Sequence, residues 1–446
     1  MLEQALKKVA VIGAGGKMGS GIAALMLQEM TRCEAERLGC VGTGEYSLTL
    51  VDLNTLAFPI LRAFLREQLK RYAEKKINML RESFARRNDL VSNGEMIDHF
   101  VEGALDNVRF ERELLSAKDS ALVFEAIFED VAAKTALYNN LKANACKEQY
   151  YFSNTSAIPI SILDRLCNLE QRIIGFHFYN PPVQQKLVEI VIPQGVSEEL
   201  NLAALDLAER LDKVVVQARD VPGFIGNGYL IREIRYACEC ARYLMREHHF
   251  SFSQALICIN ILTQRYLIRP MGIFQLIDYI GLDVIEKITE VMSLYLEDPS
   301  LRDPWITQLA QEGVKGGETL TGSQKPGCFQ YERKTPTHVY SLQEKSYFPI
   351  AELLPSIEEW LGPTPIPIPS WKTLSTAADN EGWLHNYFKQ LAQSDTPGST
   401  LAKALLAESS KIAELLVRTK TAQNMADVDQ VLKKGFFHLY THNGSK

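Results

Sequence analysis

The chain has 446 residues, a formal net charge of −6 and 23% charged residues, a balance that gives no support to a surface built for nucleic acid. At 46% hydrophobic residues it has the composition of an ordinary globular protein, long enough for two or three domains. No apolar run approaches the roughly 20 residues that span a bilayer, the opening MLEQALKKVAVIGAGG lacks the pattern of a secretory leader, and eight cysteines without a C-x-x-C pair predict neither metal nor disulfide framework. The expectation is a cytoplasmic protein with no bound metal and no nucleic-acid or membrane partner.

Val9-Ala10-Val11-Ile12 predicts a buried strand, and SGIAALMLQEM a helix. Between them lies Gly13-Ala14-Gly15-Gly16-Lys17-Met18-Gly19. Strand, glycine turn and helix form the context of a dinucleotide site, where backbone N–H groups and a helix N-terminus meet a pyrophosphate. The turn is irregular: counted from Gly13, the third position of the G-x-G-x-x-G pattern lands on Met18, and the glycine comes one residue late. The weight of the reading therefore falls on Gly15 and Gly19 rather than Gly13.

The next strand, Ser47–Val51, runs into Asp52. A carboxylate there accepts hydrogen bonds from the adenosine ribose and repels a 2′-phosphate, which favours NAD over NADP; a helix-capping role is the other reading. Thr31–Tyr46, broken by Gly39, Gly42 and Gly44, predicts a loop. Residues 55–90 predict one long helix or a helical hairpin, with nine basic and four acidic side chains. Further strands are predicted at Ala121–Ala126 and Tyr150–Phe152, the second delivering Ser153-Asn154-Thr155-Ser156 to the carboxyl edge of the sheet, where ligands bind in open α/β folds.

IIGFHF and LVEIVI predict two short strands that carry His177 and Glu189. A carboxylate within reach of the far ring nitrogen makes an imidazole a general base, fixing its tautomer and raising its basicity. A buried structural histidine is the alternative. A helix over 198–211 and a strand over 213–217 follow, and Asp220-Val221-Pro222-Gly223-Phe224 marks a domain boundary by its turn chemistry. Beyond Ile225 the pattern is helical. Pro355 and the alternating prolines from Pro363 to Pro369 predict an extended linker within 332–400.

SNTS, GFHFYNP, KLVE and DVPGFIGN, in this order and spacing, resemble the L-3-hydroxyacyl-CoA dehydrogenases. The resemblance covers about residues 7–331, with a weaker echo in ADVDQVLKKGF near the C-terminus. It implies an α/β Rossmann-type N-terminal domain followed by all-α C-terminal domains. The expected divisions are an NAD-binding domain over 1–220 with a helical excursion at 55–90, a helical domain over 221–331, a linker over 332–400 and a partial second helical copy over 401–446. It implies that Ser156, His177, Glu189 and Asn227 form the active site, with Asn180 joining Ser156 and Asn227 on the substrate. Glu129, Lys134 and Asn154 fall beside the nicotinamide, and the basic excursion lies over the CoA. Short members form homodimers through the helical domain, and a second copy in one chain takes the partner's place, so a homodimer and a monomer with an intrachain pseudo-dimer both stand. The sequence departs from the pattern at Ala14, where the family's first glycine aligns from the helix side, and at Ile273 and Gln275, where the family has Pro and Glu. A dehydrogenase of a free hydroxy acid and a catalytically idle NAD-binding scaffold are the rival readings.

Overall fold

The computed structural model describes residues 1–146, 148–319 and 322–444. Its chain divides into two compact units, Met1–Asp220 and Val221–Lys446.

In the first unit the order is α1 (Leu2–Ala5), β1 (Lys8–Ile12), α2 (Lys17–Leu38), β2 (Ser47–Val51), α3 (Phe58–Lys75), α4 (Ile77–Ser83), α5 (Asn93–Asp106), β3 (Val108–Glu111), β4 (Leu122–Glu125), α6 (Val131–Asn144), β5 (Tyr150–Ser153), α7 (Ile160–Cys167), β6 (Ile173–Phe178), β7 (Leu187–Val191), α8 (Glu198–Arg210) and β8 (Val214–Ala218). The strands form one eight-stranded sheet in the order β3-β2-β1-β4-β5-β6-β7-β8. The first six are parallel. β7 runs antiparallel to β6, and β8 follows β7. Every residue of β6 and β7 is buried, which is why both appear in the sequence as unbroken apolar runs rather than alternating ones. The chain leaves β1 toward β2 and β3, then returns to the other side at β4. The gap between β1 and β4 is thus the topological switch point, the crevice where open α/β sheets bind ligands.

Two segments differ from expectation. α2 continues through Thr31–Leu38, so that only 39–46 is loop. Thr31 Oγ1 bonds back to the Leu27 carbonyl and Arg32 pairs with Glu29 and Glu36, while Glu34, fully buried, takes the N–H groups of Gly42 and Thr43 and the Nδ2 of Asn107. Gly39, at φ 68°, ends the helix in the left-handed conformation. The excursion at 55–90 is two helices. Leu61, Leu65, Leu69 and Ala73 form the buried stripe of α3, spaced four residues apart as a helix packed on one side requires. Among the described residues three of its nine cations form ion pairs, Arg66 with Glu102, Arg71 with Glu67 and Arg87 with Asp89, and Arg81 donates to Asn93.

The second unit is largely helical. Its elements are α9 (Gly226–His248), α10 (Phe252–Ile261), α11 (Ile273–Ile280), α12 (Leu282–Tyr295), α13 (Pro304–Gln311), β9 (Phe329–Glu332), β10 (Thr335–Ser341), β11 (Ser346–Pro349), α14 (Ile350–Leu361), α15 (Trp371–Thr376), α16 (Asn380–Gln393), α17 (Pro397–Arg418) and α18 (Met425–Gly435). The segment expected to be an extended linker is largely folded. β9, β10 and β11 form an antiparallel sheet, and 362–370 is the longest stretch of the supposed linker without helix or strand. Buried Asp278 is one reason the segment folds. Its carboxylate accepts the N–H groups of Cys328 and Phe329 at 2.5 and 2.9 Å and the Tyr331 hydroxyl at 2.8 Å, fastening β9 to α11.

The final helices complete this unit. α17 packs along α9, where the Tyr229 hydroxyl meets that of Ser409 and Gly228 leaves room for Leu416. Beside them Arg269 bonds Glu233 at 2.7 Å and the Tyr440 hydroxyl at 3.3 Å, with both charged side chains buried. Removing one partner strands a buried charge, at a cost of about 3 kcal/mol or more. Urea unfolding of Arg269→Met is therefore expected to show a loss of about 3 kcal/mol, with part of it restored in Arg269→Met/Glu233→Gln; equal losses in both variants contradict the pairing.

Candidate active site

At the end of β1 the backbone turns on Gly13, which has φ +80°. The Gly13 N–H reaches the Val51 carbonyl at 2.8 Å, and a Cβ there would lie 2.7 Å from the Ala126 carbonyl oxygen. Gly13 thus requires glycine by its conformation as well as by space, and belongs with Gly15 and Gly19. The turn holds one residue more than the regular pattern, and the extra length is taken up before Gly16, which opens α2 without a side-chain cap. Gly15 donates its N–H to Asp52 Oδ2 at 2.8 Å, and a Cβ on it would crowd that carboxylate at 3.0 Å. A Cβ on Gly19 would strike the Gly13 carbonyl. Gly16 and Lys17 are exposed and Met18 is half-buried. These residues fit a dinucleotide: bare backbone and an uncapped helix start for the pyrophosphate, with a half-exposed carboxylate at the end of β2 for a ribose.

At the ends of β4 and β5 the geometry is set by two carboxylates. Glu125, fully buried, accepts from Lys134 Nζ at 2.5 Å, Ser153 Oγ at 2.6 Å, the Ile127 N–H at 2.8 Å and the Tyr138 hydroxyl at 3.2 Å. The same environment pushes the Tyr138 phenol well above its usual range, by burial first and then by the nearby anion. Glu129 Oε1 accepts Thr155 Oγ1 at 2.6 Å, the Ala157 N–H at 2.8 Å and the Ser156 N–H at 3.0 Å, while Oε2 lies 3.7 Å from Lys134 Nζ. Lys134 is therefore a wholly buried cation between two carboxylates rather than a side chain held out toward a ligand. Glu129 is the clamp on the loop that carries Ser156.

Asn154 ties that loop to the next strand, its Oδ1 accepting the Phe178 N–H at 2.9 Å. His177 stands directly opposite Glu189 in the antiparallel ladder, with Nδ1 2.9 Å from Glu189 Oε2. Glu189 is fully buried and His177 is 8% exposed. Directly opposed residues share one face of the pleat, so strand register alone brings imidazole and carboxylate together. Tyr179 was not among the predicted residues, although its offset of two from His177 puts it on the same face. Its hydroxyl donates to Glu189 Oε2 at 2.9 Å.

After Tyr179 the chain passes the half-buried Asn180 and a cis Asn180–Pro181 bond into a loop packed on α2, where a Cβ on Gly21 would meet Pro182 at 2.7 Å. Lys213 holds this loop from below, giving N–H bonds to the carbonyls of Pro182 at 2.6 Å and Gln185 at 2.7 Å. Asn227 lies in the first turn of α9, 9% exposed, in the second unit. Ser156, His177, Glu189, Asn154 and Glu129 thus share the carboxyl edge of the sheet that also bears the glycine turn. Among the described residues no cluster of His, Cys, Asp or Glu is arranged to hold a metal ion, and no helix is long and apolar enough to cross a membrane.

Residues 51–221 match the family model for the 3-hydroxyacyl-CoA dehydrogenase NAD binding domain, and residues 258–325 that for the C-terminal domain. A probable 3-hydroxybutyryl-CoA dehydrogenase of Bacillus subtilis (strain 168) is 31% identical over 330 residues, covering 74% of this chain and 99% of the relative. The chain belongs to the 3-hydroxyacyl-CoA dehydrogenase family. A mitochondrial hydroxyacyl-coenzyme A dehydrogenase of Sus scrofa is 30% identical over 323 residues, or 72% of this chain and 91% of the relative. Among solved structures, FadB2 of M. tuberculosis aligns with a TM-score of 0.52 at 25% identity, covering 69% of this chain and 95% of its own. The fold of a 3-hydroxybutyryl-CoA dehydrogenase from Escherichia coli K12 covers 98% of this chain and 90% of its own, with a TM-score of 0.60 at 18% identity. The family's members are oxidoreductases acting on CH–OH groups.

Lys213 gives the site a pH-dependent support. Burial, together with the Lys186 charge, pushes its ammonium down to about 8. A neutral amine keeps two N–H groups, enough for its two carbonyl partners. Between pH 8 and the ordinary lysine value of 10.5 the unfolded chain holds more protons than the folded chain, so folding stability rises with pH across that window. Denaturant titrations are expected to show wild type gaining stability over Lys213→Met between pH 8 and 10.5; a constant difference contradicts the assignment.

Proposed function

We propose that the protein catalyses the reversible oxidation of an L-3-hydroxyacyl-CoA to the 3-oxoacyl-CoA, with NAD⁺ as the oxidant. The observation that carries this reading is the 2.9 Å bond between His177 Nδ1 and Glu189 Oε2 at the carboxyl edge of a sheet that also holds the glycine turn. An alcohol is too weak an acid to give up its proton unaided at neutral pH. His177 takes that proton on Nε2 as the carbon–hydrogen bond breaks, and Glu189 holds the Nδ1–H tautomer and balances the imidazolium. Ser156 holds the C3 oxygen, and Asn180 aligns the substrate beside His177. The bound NAD⁺ supplies the hydride acceptor.

The chain's own residues determine how the cofactor lies. Gly13 to Gly19, including Gly15, Gly16, Lys17 and Met18, offer backbone to the pyrophosphate. Asp52 receives the adenosine ribose and disfavours a 2′-phosphate, so NAD is preferred to NADP. Leu53 and Phe128, 82% and 72% exposed, follow the strands on either side of β1 and supply apolar surface for a purine. Asn154 and Glu129 lie toward the nicotinamide end, with Lys134 supporting Glu129 from behind. The unpaired cations of α3 and α4, such as Arg62 and Lys70, favour a CoA thioester over a free hydroxy acid. The pairing of α9 with α17 inside one chain supports the intrachain pseudo-dimer over the homodimer.

Acetoacetyl-CoA reduction followed through NADH absorbance tests the reading. Wild type is expected to turn over with NADH in clear preference to NADPH. His177→Ala is expected to lower kcat by about 10³-fold and Glu189→Gln by about 10²-fold. Turnover confined to a free hydroxy acid overturns the substrate assignment, and cofactor binding without turnover overturns the enzymatic one.

A further inference from the structure

We propose that Tyr179 is a positioning residue that sets the basicity of His177 by sharing the carboxylate of Glu189, an inference that rests on the proposed role of His177 as base. The Tyr179 hydroxyl and His177 Nδ1 both lie 2.9 Å from one oxygen, Oε2 of Glu189. The two rings are neighbours, with centroids 5.0 Å apart and planes inclined at 39°. Glu189 is fully buried, so water does not dilute either bond. A carboxylate oxygen that already receives one strong donor has less charge to offer a second. The phenol therefore competes with Nδ1–H for that oxygen and restrains how far Glu189 raises the imidazole's affinity for a proton. Burial and the Glu189 charge push the phenol itself well above its usual range, so its hydroxyl remains a donor at any working pH.

The elements packed on β6 and β7 turn mostly neutral side chains toward them. β8 places Val216 beside Glu189, and β5 ends in the neutral Ser153 and Asn154. α7 turns Ile160, Leu163 and the thiol of Cys167 inward, the thiol bonded to the Thr135 carbonyl. α8 presents Leu200, Ala203, Ala204, Leu207 and Ala208. Lys213, 6.0 Å from the centre of the Phe178 ring, is engaged with two carbonyls.

The test is the pH profile of kcat in the oxidative direction, where an unprotonated imidazole is required and activity falls on the acid side. In Tyr179→Phe the acid limb is expected to move up by about half a pH unit, because Nδ1–H then shares Oε2 with one donor fewer. With 3-fluorotyrosine installed in place of Tyr179, a stronger donor of nearly the same shape, the limb is expected to move down. Opposite shifts from a deletion and a near-isosteric replacement separate electrostatic sharing from mere packing, and the fluorinated protein keeps the test open if the phenylalanine variant does not fold. An unmoved limb, or one that moves the same way in both, overturns the proposal. In a Glu189→Gln background Tyr179→Phe is expected to shift nothing, and a full shift there also overturns it. The underlying reading fails separately: wild-type turnover by His177→Asn removes His177 as base whatever Tyr179 does.

Discussion

A carboxylate withdrawn from water keeps its charge only where donors meet it, and Glu189 satisfies that demand with an imidazole nitrogen and a phenol on one oxygen. This constraint orders the sheet's edge. For the bond to form, β7 must run against β6 in a register that sets Glu189 opposite His177, and the chain must therefore reverse sharply after Tyr179. The loop that makes the reversal is seated on α2 through Gly21 and held underneath by Lys213. The reversal of strand direction after six parallel strands, which a dinucleotide-binding sheet does not itself need, follows from placing a buried acid behind a ring.

The same device recurs across the protein. Glu129 gathers the N–H groups and hydroxyl of residues 155–157. Glu125 gathers Lys134, Tyr138 and Ser153. Asp220 takes the N–H groups of Ile160 and Ser161 at the start of α7, Glu34 folds the 40–43 turn onto α2, and Asp278 fastens β9. Each of these segments is a loop or element end whose donors find no partner within a helix or strand ladder. Buried acids are costly alone and strongly directional when satisfied, so they fix loops to within a bond length where apolar packing would leave them loose. The groups proposed to handle substrate and cofactor are carried on loops fixed in this way.

Much of this was legible in the sequence, because the unbroken apolar runs around Val9, Val123, Phe176 and Val188 admit little besides buried strands, and because the motifs fall at their ends. The direct opposition of His177 and Glu189 could be anticipated from two strands joined by a short turn. Other features could not. The role of Gly13 was hidden because a one-residue insertion shifts a glycine count without changing which residue must turn left-handed. Tyr179 was passed over because an aromatic beside a strand end looks like core. The burial of Lys134 was hidden because a sequence does not show that Glu125 lies beside it. The small sheet at 329–349 was missed because prolines at 336 and 349 disguise strands whose pairing is long-range, and the helical continuation through Thr31–Leu38 because three glycines beyond it drew the boundary too early.

The account's central claim is that Glu189 holds the Nδ1 proton of His177 and leaves Nε2 as the basic nitrogen. Nitrogen-15 NMR of the histidine-labelled protein at neutral pH, with His177→Gln used to assign the signal, reads this directly. The account predicts a pyrrole-type Nδ1 and a pyridine-type Nε2 for His177, with the Nδ1 proton shifted downfield and losing that shift in Glu189→Gln. The reverse tautomer, or an Nδ1 proton indifferent to Glu189, would contradict it.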